Sequence, residues 1–310
     1  MSQVDHEPGA DSGRLPSLGD GNARIREWLA GFGFALPYLV VAAGFLFGPL
    51  LLGLFMSFHN WNPIFPAESE FIGLANYEEL IADPRFWNAM KNTLYFVVLT
   101  VPSIVVGSLL LALGVNREVK GRWVLRAIFF SPYVLTVAVI GLLWTDLFSS
   151  TGLIPYYAAQ LGINTGSWLT DPTLAMPAIT ITTIWWSLAF NFVILLAARQ
   201  NVPERLYEAA KLDGASSWRM MLDITIPQMR NPLIFVVITT FVGSFQVFGQ
   251  PFIMTSGGPS FSTTTVVMYL YQTAFSAGDF GYAAAVGYVL FMILIFVSLI
   301  NFYVLGGDGE

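Results

Sequence analysis

Few side chains in this sequence could carry out covalent chemistry. Its 310 residues include no cysteine and only two histidines, His6 and His59. Neither histidine has a partner at metal-ligand spacing. No cluster of histidine, aspartate and glutamate is present that could supply a nucleophile and its base near a membrane surface. We therefore expect no catalytic residue, no metal site and no cofactor.

The chain also lacks the motif that would let it hydrolyse ATP. A phosphate-binding P-loop needs a lysine directly after a glycine. The three lysines follow Met90, Val119 and Ala210 instead. Any energy from ATP would therefore have to enter through separate chains. The net charge of −6 gives no sign of a nucleic-acid partner.

One polar stretch, EAAKLDGASSWRMMLDITIP at residues 208–227, stands out among long apolar runs. Pro203 suits the first turn of a helix, and Gly214 suits its end. Ser216 or Ser217 can cap a second short helix. The pattern predicts two short amphipathic helices joined by a glycine turn. Such helices either cover the end of a helix bundle or dock another protein, and the residues alone leave both possibilities open.

Polar and aromatic residues within the apolar runs are candidates for a substrate path. Neutral polyols are bound by amides, hydroxyls and aromatic faces, whereas ion coupling would favour ionisable groups inside the spans. The apolar cores hold no Asp, Glu, Lys or Arg. The candidates are Trp185, Trp186, Asn191, Ser244, Gln246 and Gln250. Hydrogen bonding between helices, or anchoring at the membrane interface, is the alternative role for each of them.

Two of these candidates are related by their spacing. Gln246 and Gln250 lie four residues apart, so a continuous helix would place them on one face.

Long apolar segments must position these residues. The chain is 55% hydrophobic and 11% charged, whereas an ordinary soluble domain is about 25% charged. Runs of helical length, rather than alternating strands, predict an all-α membrane protein with six transmembrane helices. In a domain covering 31–306, the predicted spans are 32–58, 93–115, 127–146, 173–198, 232–253 and 281–305. A re-entrant hairpin in 255–278 is the alternative for the long fifth apolar stretch.

The basic residues give the expected orientation. Three of the 14 lie in the N-terminal tail, four in the loop 116–126 and five in the loop 199–230. Basic residues concentrate in cytoplasmic loops, so we expect both termini and the loop at 199–231 in the cytoplasm. Residues 1–30 are polar and rich in Gly, Pro and Ser, which predicts a disordered cytoplasmic tail. The outer segment 59–92 is either an interfacial helix or a packed external loop.

The loop at 199–231 resembles the signature of a known family. ATP-binding-cassette importer permeases carry a signature in this loop. It reads E-A-A, three residues, glycine, nine residues, isoleucine, one residue, and then leucine-proline. The matching residues are Glu208, Ala209, Ala210, Gly214, Ile224 and Pro227, and the neighbouring Asp213 is counted with the loop. The one departure is Ile226, where leucine is usual. The segments FIGLANYEEL, DPRFWNAMKNTLYF and MTSGGPSFSTTTVVMYLYQTAF look like parts of the maltose- and glycerol-phosphate-type carbohydrate permeases.

This resemblance covers about residues 30–305 and implies a type I importer transmembrane fold. In that family the loop forms a coupling helix that sits in a groove on the ATPase subunit. Glu208 is implied to pair with a basic residue there, and Gly214 is implied to allow the turn. The implied partners are two ATP-binding subunits, a second permease subunit forming a heterodimer, an extracytoplasmic solute-binding protein and the lipid bilayer, with no nucleic acid.

Together these features predict the permease subunit of an ATP-driven importer in the cell membrane, for a sugar or related polyol. Partner ATPases would close on binding ATP, and the loop at 199–231 would pass that movement to the spans in an alternating-access cycle. The alternative is a self-sufficient secondary carrier or channel for a small neutral solute, which would need no partner ATPases. A scaffold of a membrane complex that transports nothing is a further interpretation.

Overall fold

The computed structural model describes residues 20–115, 121–163 and 166–306. Within these ranges the chain is mostly helical, with short 3-10 and π-helical turns between several of the α-helices. The two strands of the described chain are β1 (His59–Asn60) and β2 (Glu70–Phe71), which pair antiparallel. The helices in chain order are α1 (Asp20–Ala42), α2 (Gly48–Ser57), α3 (Ala75–Ala82), α4 (Pro84–Val115), α5 (Arg122–Phe130), α6 (Val137–Phe148), α7 (Leu153–Gln160), α8 (Ala175–Gln200), α9 (Glu204–Leu212), α10 (Ser217–Met220), α11 (Ile226–Gln228), α12 (Arg230–Phe245), α13 (Gly249–Thr255), α14 (Val266–Tyr271) and α15 (Phe280–Gly306).

Several helical segments have the length and composition of membrane spans. The five in the described residues are Trp28–Ser57, Pro84–Val115, Val137–Gln160, Ala175–Gln200 and Phe280–Asn301. A sixth crossing results if two helical segments on either side of a 71° bend at Met229 act as one span. The 26 residues of α8 extend about 39 Å, which exceeds the roughly 30 Å hydrocarbon core of a bilayer. The predicted all-α membrane fold is confirmed.

The third predicted span, 127–146, is interrupted. α5 and α6 are separated by a 3-10 turn at Ser131–Val134. Pro132 lies in this turn and has no amide hydrogen to donate to a helix, and Thr136 caps the start of α6. The apolar segment of membrane length is Val137–Gln160 instead. It contains Asp146, so the expectation that no ionisable residue lies within a span is wrong for this segment.

The fifth predicted span, 232–253, consists of two helices. α12 ends at Phe245, the chain unwinds over 246–248, and α13 follows. The break precedes Gly249 and Pro251, two residue types that weaken a helix interior. Residues 255–278 then form a loop, the short α14 and a π-helical turn, none of which is long enough to cross a membrane.

The N-terminal segment forms a compact unit by itself. α1 begins at Asp20, inside the predicted tail, because NARIREWLA contains mostly good helix formers; residues 1–19 of that tail lie outside the described ranges. From Trp28 to Phe55, every described side chain is exposed or half-buried although most are apolar. Such a surface is typical of a helix that faces lipid or another membrane subunit.

Buried clusters mark the two ends of the remaining bundle. One joins the last turn of α4, through Val115, to Tyr207 and Met229 of the loop at 199–231. The other joins the first turn of α4, through Phe86, to Tyr282 at the start of α15. α4 and α8 pack along each other between these ends, and this pair provides the frame for the cavity described next.

Candidate functional site

A cavity of about 490 Å³, here termed the central cavity, lies within the bundle. Its walls come from α4, the turn at 131–134, the start of α6, α8, α12, the unwound segment 246–248 and the start of α13. Ligand pockets run from about 300 to 1,000 Å³, so the volume suits a small molecule. The lining residues are Phe96, Ile104, Tyr133, Val137, Thr183, Trp186, Ser187, Phe190, Asn191, Thr239, Thr240, Gly243, Ser244, Gln246, Val247, Phe248, Gly249 and Gln250.

The lining is mostly apolar and carries no charged residue type. It contains amides, hydroxyls and aromatic rings, and none of its described members is Asp, Glu, Lys, Arg or His. A charged ligand would find no opposite charge in these walls, and an unpaired buried charge is strongly unfavourable. The cavity is therefore suited to a neutral molecule that has both apolar faces and polar groups.

Two polar atoms of the lining are buried and form no hydrogen bond within the described structure. They are the indole nitrogen Nε1 of Trp186 and the hydroxyl oxygen of Thr240. Leaving such a group unpaired costs about 1–3 kcal/mol, and native structures do so seldom. Asn191, by contrast, donates its side-chain amide to the Ser187 carbonyl at 3.3 Å. Both atoms are enclosed by protein atoms, so a ligand hydroxyl would reach them only after neighbouring side chains move.

Tyr133 adds an aromatic wall to the cavity. Its ring stacks on Trp186, with centroids 6.0 Å apart, and on Phe190, with centroids 5.2 Å apart. Aromatic stacking of this kind fixes the orientation of the rings. The stack offers a flat apolar face beside the unpaired indole N–H.

Five of the six residues predicted for the substrate path line the central cavity, and Trp185 does not. Trp185 is partly exposed and packs edge-on against Trp144, with centroids 5.6 Å apart. Successive residues of a helix point about 100° apart, so only Trp186 of the pair faces the cavity.

The expectation that Gln246 and Gln250 share a helix face needs correction. α12 ends at Phe245 and α13 starts at Gly249, so no helix joins the two glutamines. Both still line the cavity, but Gln246 is exposed whereas Gln250 is buried.

Sequence reasoning missed two lining residues with a clear role, Tyr133 and Thr240. Thr240 is a hydroxyl in an apolar run, and the criterion that selected Ser244 would also have found it. Tyr133 follows Pro132 within the predicted third span. Pro132 could have been recognised as an interruption of the predicted helix. Non-helical backbone within a membrane is tolerated where it lines a cavity, so the neighbouring Tyr133 would then have been a candidate lining residue.

The loop at 199–231 contains α9 and α10, joined by a turn at Gly214. Gly214 has φ +73°, a left-handed conformation that glycine adopts without steric cost. The Ser216 hydroxyl caps α10 by accepting from the Arg219 amide at 3.3 Å. A π-helical turn, Met221–Thr225, then leads into α11. Turns of this type occur often at functional sites.

Tyr207 fixes α9 to its surroundings. Its hydroxyl shares a buried hydrogen bond with the Thr225 hydroxyl at 2.8 Å. The Arg199 guanidinium, at the end of α8, lies 4.3 Å from the centroid of the Tyr207 ring, a cation–π arrangement worth about 0.5–2 kcal/mol. α9 is therefore attached both to a membrane-length helix and to the segment that leads into α12.

The other face of the loop is exposed and partly apolar. Leu212 is 89% exposed and Trp218 is 68% exposed, and large apolar side chains exposed together mark interaction surfaces. Of the residues predicted for ATPase coupling, the exposed ones are Glu208, Ala209, Asp213, Gly214 and Pro227, and the half-buried ones are Ala210 and Ile224. Ile224 packs on the buried cluster around Met229. The described residues contain no group of three or more His, Asp or Glu that could hold a metal ion.

Comparisons with known proteins identify relatives over most of the chain. The family profile described as "Binding-protein-dependent transport system inner membrane component" matches residues 80–305. A probable ABC transporter permease protein of Bacillus subtilis is 34% identical over 273 residues, covering 86% of this chain and 93% of the relative. A lactose transport system permease protein of Rhizobium radiobacter is 32% identical over 285 residues, covering 90% of this chain and 93% of the relative.

One solved structure has the same fold. A chain of a bacterial ABC transporter involved in the import of the acidic polysaccharide alginate superimposes with a TM-score of 0.79 at 22% identity. The match covers 93% of this chain and 99% of that chain. The similarity extends over the whole helical bundle.

Proposed function

Because the chain belongs to the family of inner-membrane components of binding-protein-dependent transport systems, we propose that its central cavity carries a sugar or related polyol across the membrane. The chain is a multi-pass membrane subunit of a transporter, and the family is not one of enzymes. The observation that carries the proposed substrate class is the uncharged lining of the central cavity, which combines amides, hydroxyls and aromatic rings.

The chemistry of the cavity matches that of a sugar. A pyranose ring offers hydroxyls that both donate and accept, and one apolar face of C–H bonds. Asn191 and Gln250 would contribute amides, and the Tyr133 stack would meet the apolar face. The Trp186 indole would donate to a hydroxyl once neighbouring side chains move aside. The relative from Rhizobium radiobacter is named for lactose transport, which supports this class.

The energy for transport comes, in this proposal, from two separate ATP-binding subunits. The chain has no P-loop lysine, and the exposed face of the loop at 199–231 carries Glu208 beside Leu212 and Trp218. Glu208 would pair with a basic residue in a groove of the ATPase subunit. When the ATPases close on ATP, they would move this loop and open the spans outward for the cargo. Hydrolysis of the ATP would then reopen the spans inward.

The remaining partners follow from the same proposal. Both termini and the loop at 199–231 face the cytoplasm, where 12 of the 14 basic residues then lie. A second permease subunit completes the path as a heterodimer, and an extracytoplasmic solute-binding protein delivers cargo to the outer loops. The exposed apolar side chains of Trp28–Phe55 contact lipid or that second subunit.

The Glu208→Ala substitution in the complete assembly tests this mechanism. The assembly is reconstituted in proteoliposomes with its ATPases and binding protein, and ATP-dependent uptake of labelled mono- and disaccharides is measured. Truncating one member of a buried charge pair costs about 2–5 kcal/mol, so uptake and coupled ATP hydrolysis should both fall by at least tenfold. Glu204→Ala is the matched control, because Glu204 is exposed on the same helix but precedes the signature.

Two results would contradict the proposal. Normal uptake by an assembled Glu208→Ala transporter would remove the coupling role of this residue. Uptake of a sugar by vesicles that contain this chain alone, without ATPases, would establish the secondary carrier instead.

A further inference from the structure

A second cavity, of about 620 Å³, lies at the opposite end of the bundle from the loop at 199–231. We term it the outer pocket. Its walls are α3, the first turn of α4, the loop 256–265 and the chain from α14 to the start of α15. α4 fixes its position in the bundle, because Pro84 lines the pocket whereas Val115, at the other end of the same helix, packs with Tyr207.

The outer pocket differs in chemistry from the central cavity because it contains charged groups. Glu79 lines it from α3, Arg85 from α4, and Gln272 and Asp279 from the opposite wall. Within the described residues, neither the Glu79 carboxylate nor the Gln272 side-chain amide forms a hydrogen bond. These two groups remain available to a ligand, one as an acceptor and the other as both donor and acceptor.

Phe261 supplies an apolar face in the same wall. Its side chain is 56% exposed, and the Arg85 guanidinium lies 5.8 Å from its ring centroid. Phe261 has φ +60°, a left-handed conformation that costs a non-glycine residue about 1–2 kcal/mol. Side-chain amides of Asn88 and Asn92 hold it there by donating to its carbonyl at 3.1 and 2.8 Å. The backbone that carries the exposed ring is therefore fixed by specific contacts.

These groups match the needs of a sugar ring. Adjacent hydroxyls of a saccharide can donate to a carboxylate such as Glu79 and accept from a guanidinium such as Arg85, and its C–H face packs on an aromatic ring. We propose that the outer pocket is a second saccharide-binding subsite, separate from the central cavity, which holds a sugar ring at the outer end of the bundle. This inference rests on the proposed sugar cargo.

The loop 256–265 links the two cavities. Asn92 on α4 also donates to the Thr264 carbonyl at 3.0 Å, and Thr264 lines the outer pocket. The next residue, Thr265, donates its hydroxyl to the carbonyl of Val247 at 2.8 Å, and Val247 lines the central cavity. The same loop thus forms a wall of the outer pocket and supports the unwound segment of the central cavity.

Saturation-transfer NMR on the purified complete assembly, without the binding protein, tests the subsite. Lactose, maltose and trehalose serve as probes. The unmodified assembly should show two binding events. Glu79→Gln and Gln272→Ala should each weaken one event by about tenfold, the effect of losing one strong hydrogen bond, and Trp186→Phe should weaken only the other. Glu78→Gln is the matched control, because Glu78 is the exposed neighbour of Glu79 on α3 and does not line the pocket.

The outcomes separate the two proposals. One binding event that Trp186→Phe weakens and Glu79→Gln leaves unchanged would overturn the outer subsite while the proposed sugar transport stands. Absence of binding in both cavities, together with absence of sugar uptake, would overturn both. Weaker docking of the binding protein to the Gln272→Ala assembly, with an unchanged sugar titration, would assign the pocket to that protein and overturn the subsite.

Discussion

At the scale of single residues, the Trp186 indole is the most direct probe of the central cavity. The Trp186→Phe substitution removes the unpaired Nε1–H but keeps an aromatic ring beside Tyr133. A neutral hydrogen bond contributes about 0.5–1.5 kcal/mol, so the affinity for cargo should fall about 3- to 10-fold. The apparent affinity for sugar in transport by the reconstituted assembly measures this change.

Trp144 provides a matched control for that substitution. Its Nε1 is also buried without a partner in the described chain, but it lies against Phe148 and does not line the central cavity. Trp144→Phe should leave sugar affinity unchanged. An equal loss in both variants would mean that Trp186 acts through packing and not through contact with cargo.

Asp83 joins three helices at the outer end of the bundle. Its carboxylate accepts from the hydroxyl of Tyr269 on α14, from that of Tyr282 on α15 at 2.9 Å, and from the Arg85 amide at 2.8 Å. Partial burial raises the pKa of Asp83, but the hydrogen bonds from Tyr269, the Arg85 amide and Tyr282 outweigh that effect. They hold the pKa below the usual value of 3.8.

The lowered pKa predicts the pH range in which Asp83 stabilises the fold. A carboxyl group whose pKa is lower in the folded state contributes fully above its unfolded pKa, and that contribution is lost as pH falls through the folded pKa. At pH 7, Asp83→Asn should therefore unfold at a lower temperature than the parent chain. The difference should shrink as the pH drops below the usual value of 3.8, measured by thermal unfolding of the purified protein in detergent. A difference that stays constant with pH would show that the charge is irrelevant.

At the scale of elements, the turn that joins α9 to α10 depends on the left-handed backbone conformation of Gly214. Its φ is +73° and no atom would lie within 4 Å of an added Cβ, so Gly214→Ala tests backbone strain alone. The left-handed conformation should cost about 1–2 kcal/mol of stability, or favour another turn and weaken ATPase coupling. Thermal unfolding and the ratio of sugar transported to ATP hydrolysed measure the two effects.

Gly114 on α4 is the matched control for this turn. An added Cβ there also meets nothing within 4 Å, and the residue is helical, so Gly114→Ala should stabilise the chain by up to about 1 kcal/mol. Loss of stability in both variants would contradict the role assigned to the positive φ.

The sequence was sufficient to predict most long helices but not the breaks between them. Run length and the absence of charge identify α4, α8 and α15, because a helix that crosses a bilayer needs about 20 apolar residues. The breaks at 131–134 and 246–248 occur within apolar runs. The second break is supported by a hydrogen bond from the Thr265 hydroxyl to the Val247 carbonyl, 18 residues apart. A local average of hydropathy cannot detect such a contact between distant residues, so the sequence did not predict this break.

The candidate site was predictable to a similar degree. An amide or hydroxyl in an apolar run needs a partner, and this rule located Asn191, Ser244 and Gln250 near one another. It could not choose between Trp185 and Trp186, because that choice depends on the rotation of α8 about its axis. The outer pocket was not predicted at all, since its lining residues run from Glu79 to Tyr282, 203 positions apart in the sequence.

At the scale of the whole molecule, the orientation of the bundle can be tested directly because the chain has no cysteine. Leu212 and Ile64 are 89% and 76% exposed and lie on opposite sides of the membrane in the proposed orientation. In intact cells, a membrane-impermeant maleimide should label an Ile64→Cys variant and should reach a Leu212→Cys variant only after permeabilisation. The reverse pattern would invert the orientation.

The neutral lining of the central cavity also has an electrical consequence. Moving one elementary charge across a membrane takes or releases about 2.3 kcal/mol for every 100 mV. A neutral sugar that passes neutral walls performs no electrical work, so its uptake should not change when a potassium diffusion potential is imposed on the proteoliposomes. Faster uptake with a negative interior would mean that a cation crosses with the sugar. If the rate is constant, the membrane potential neither helps nor limits accumulation, and the cell could concentrate this cargo even when fully depolarised, as long as ATP remains.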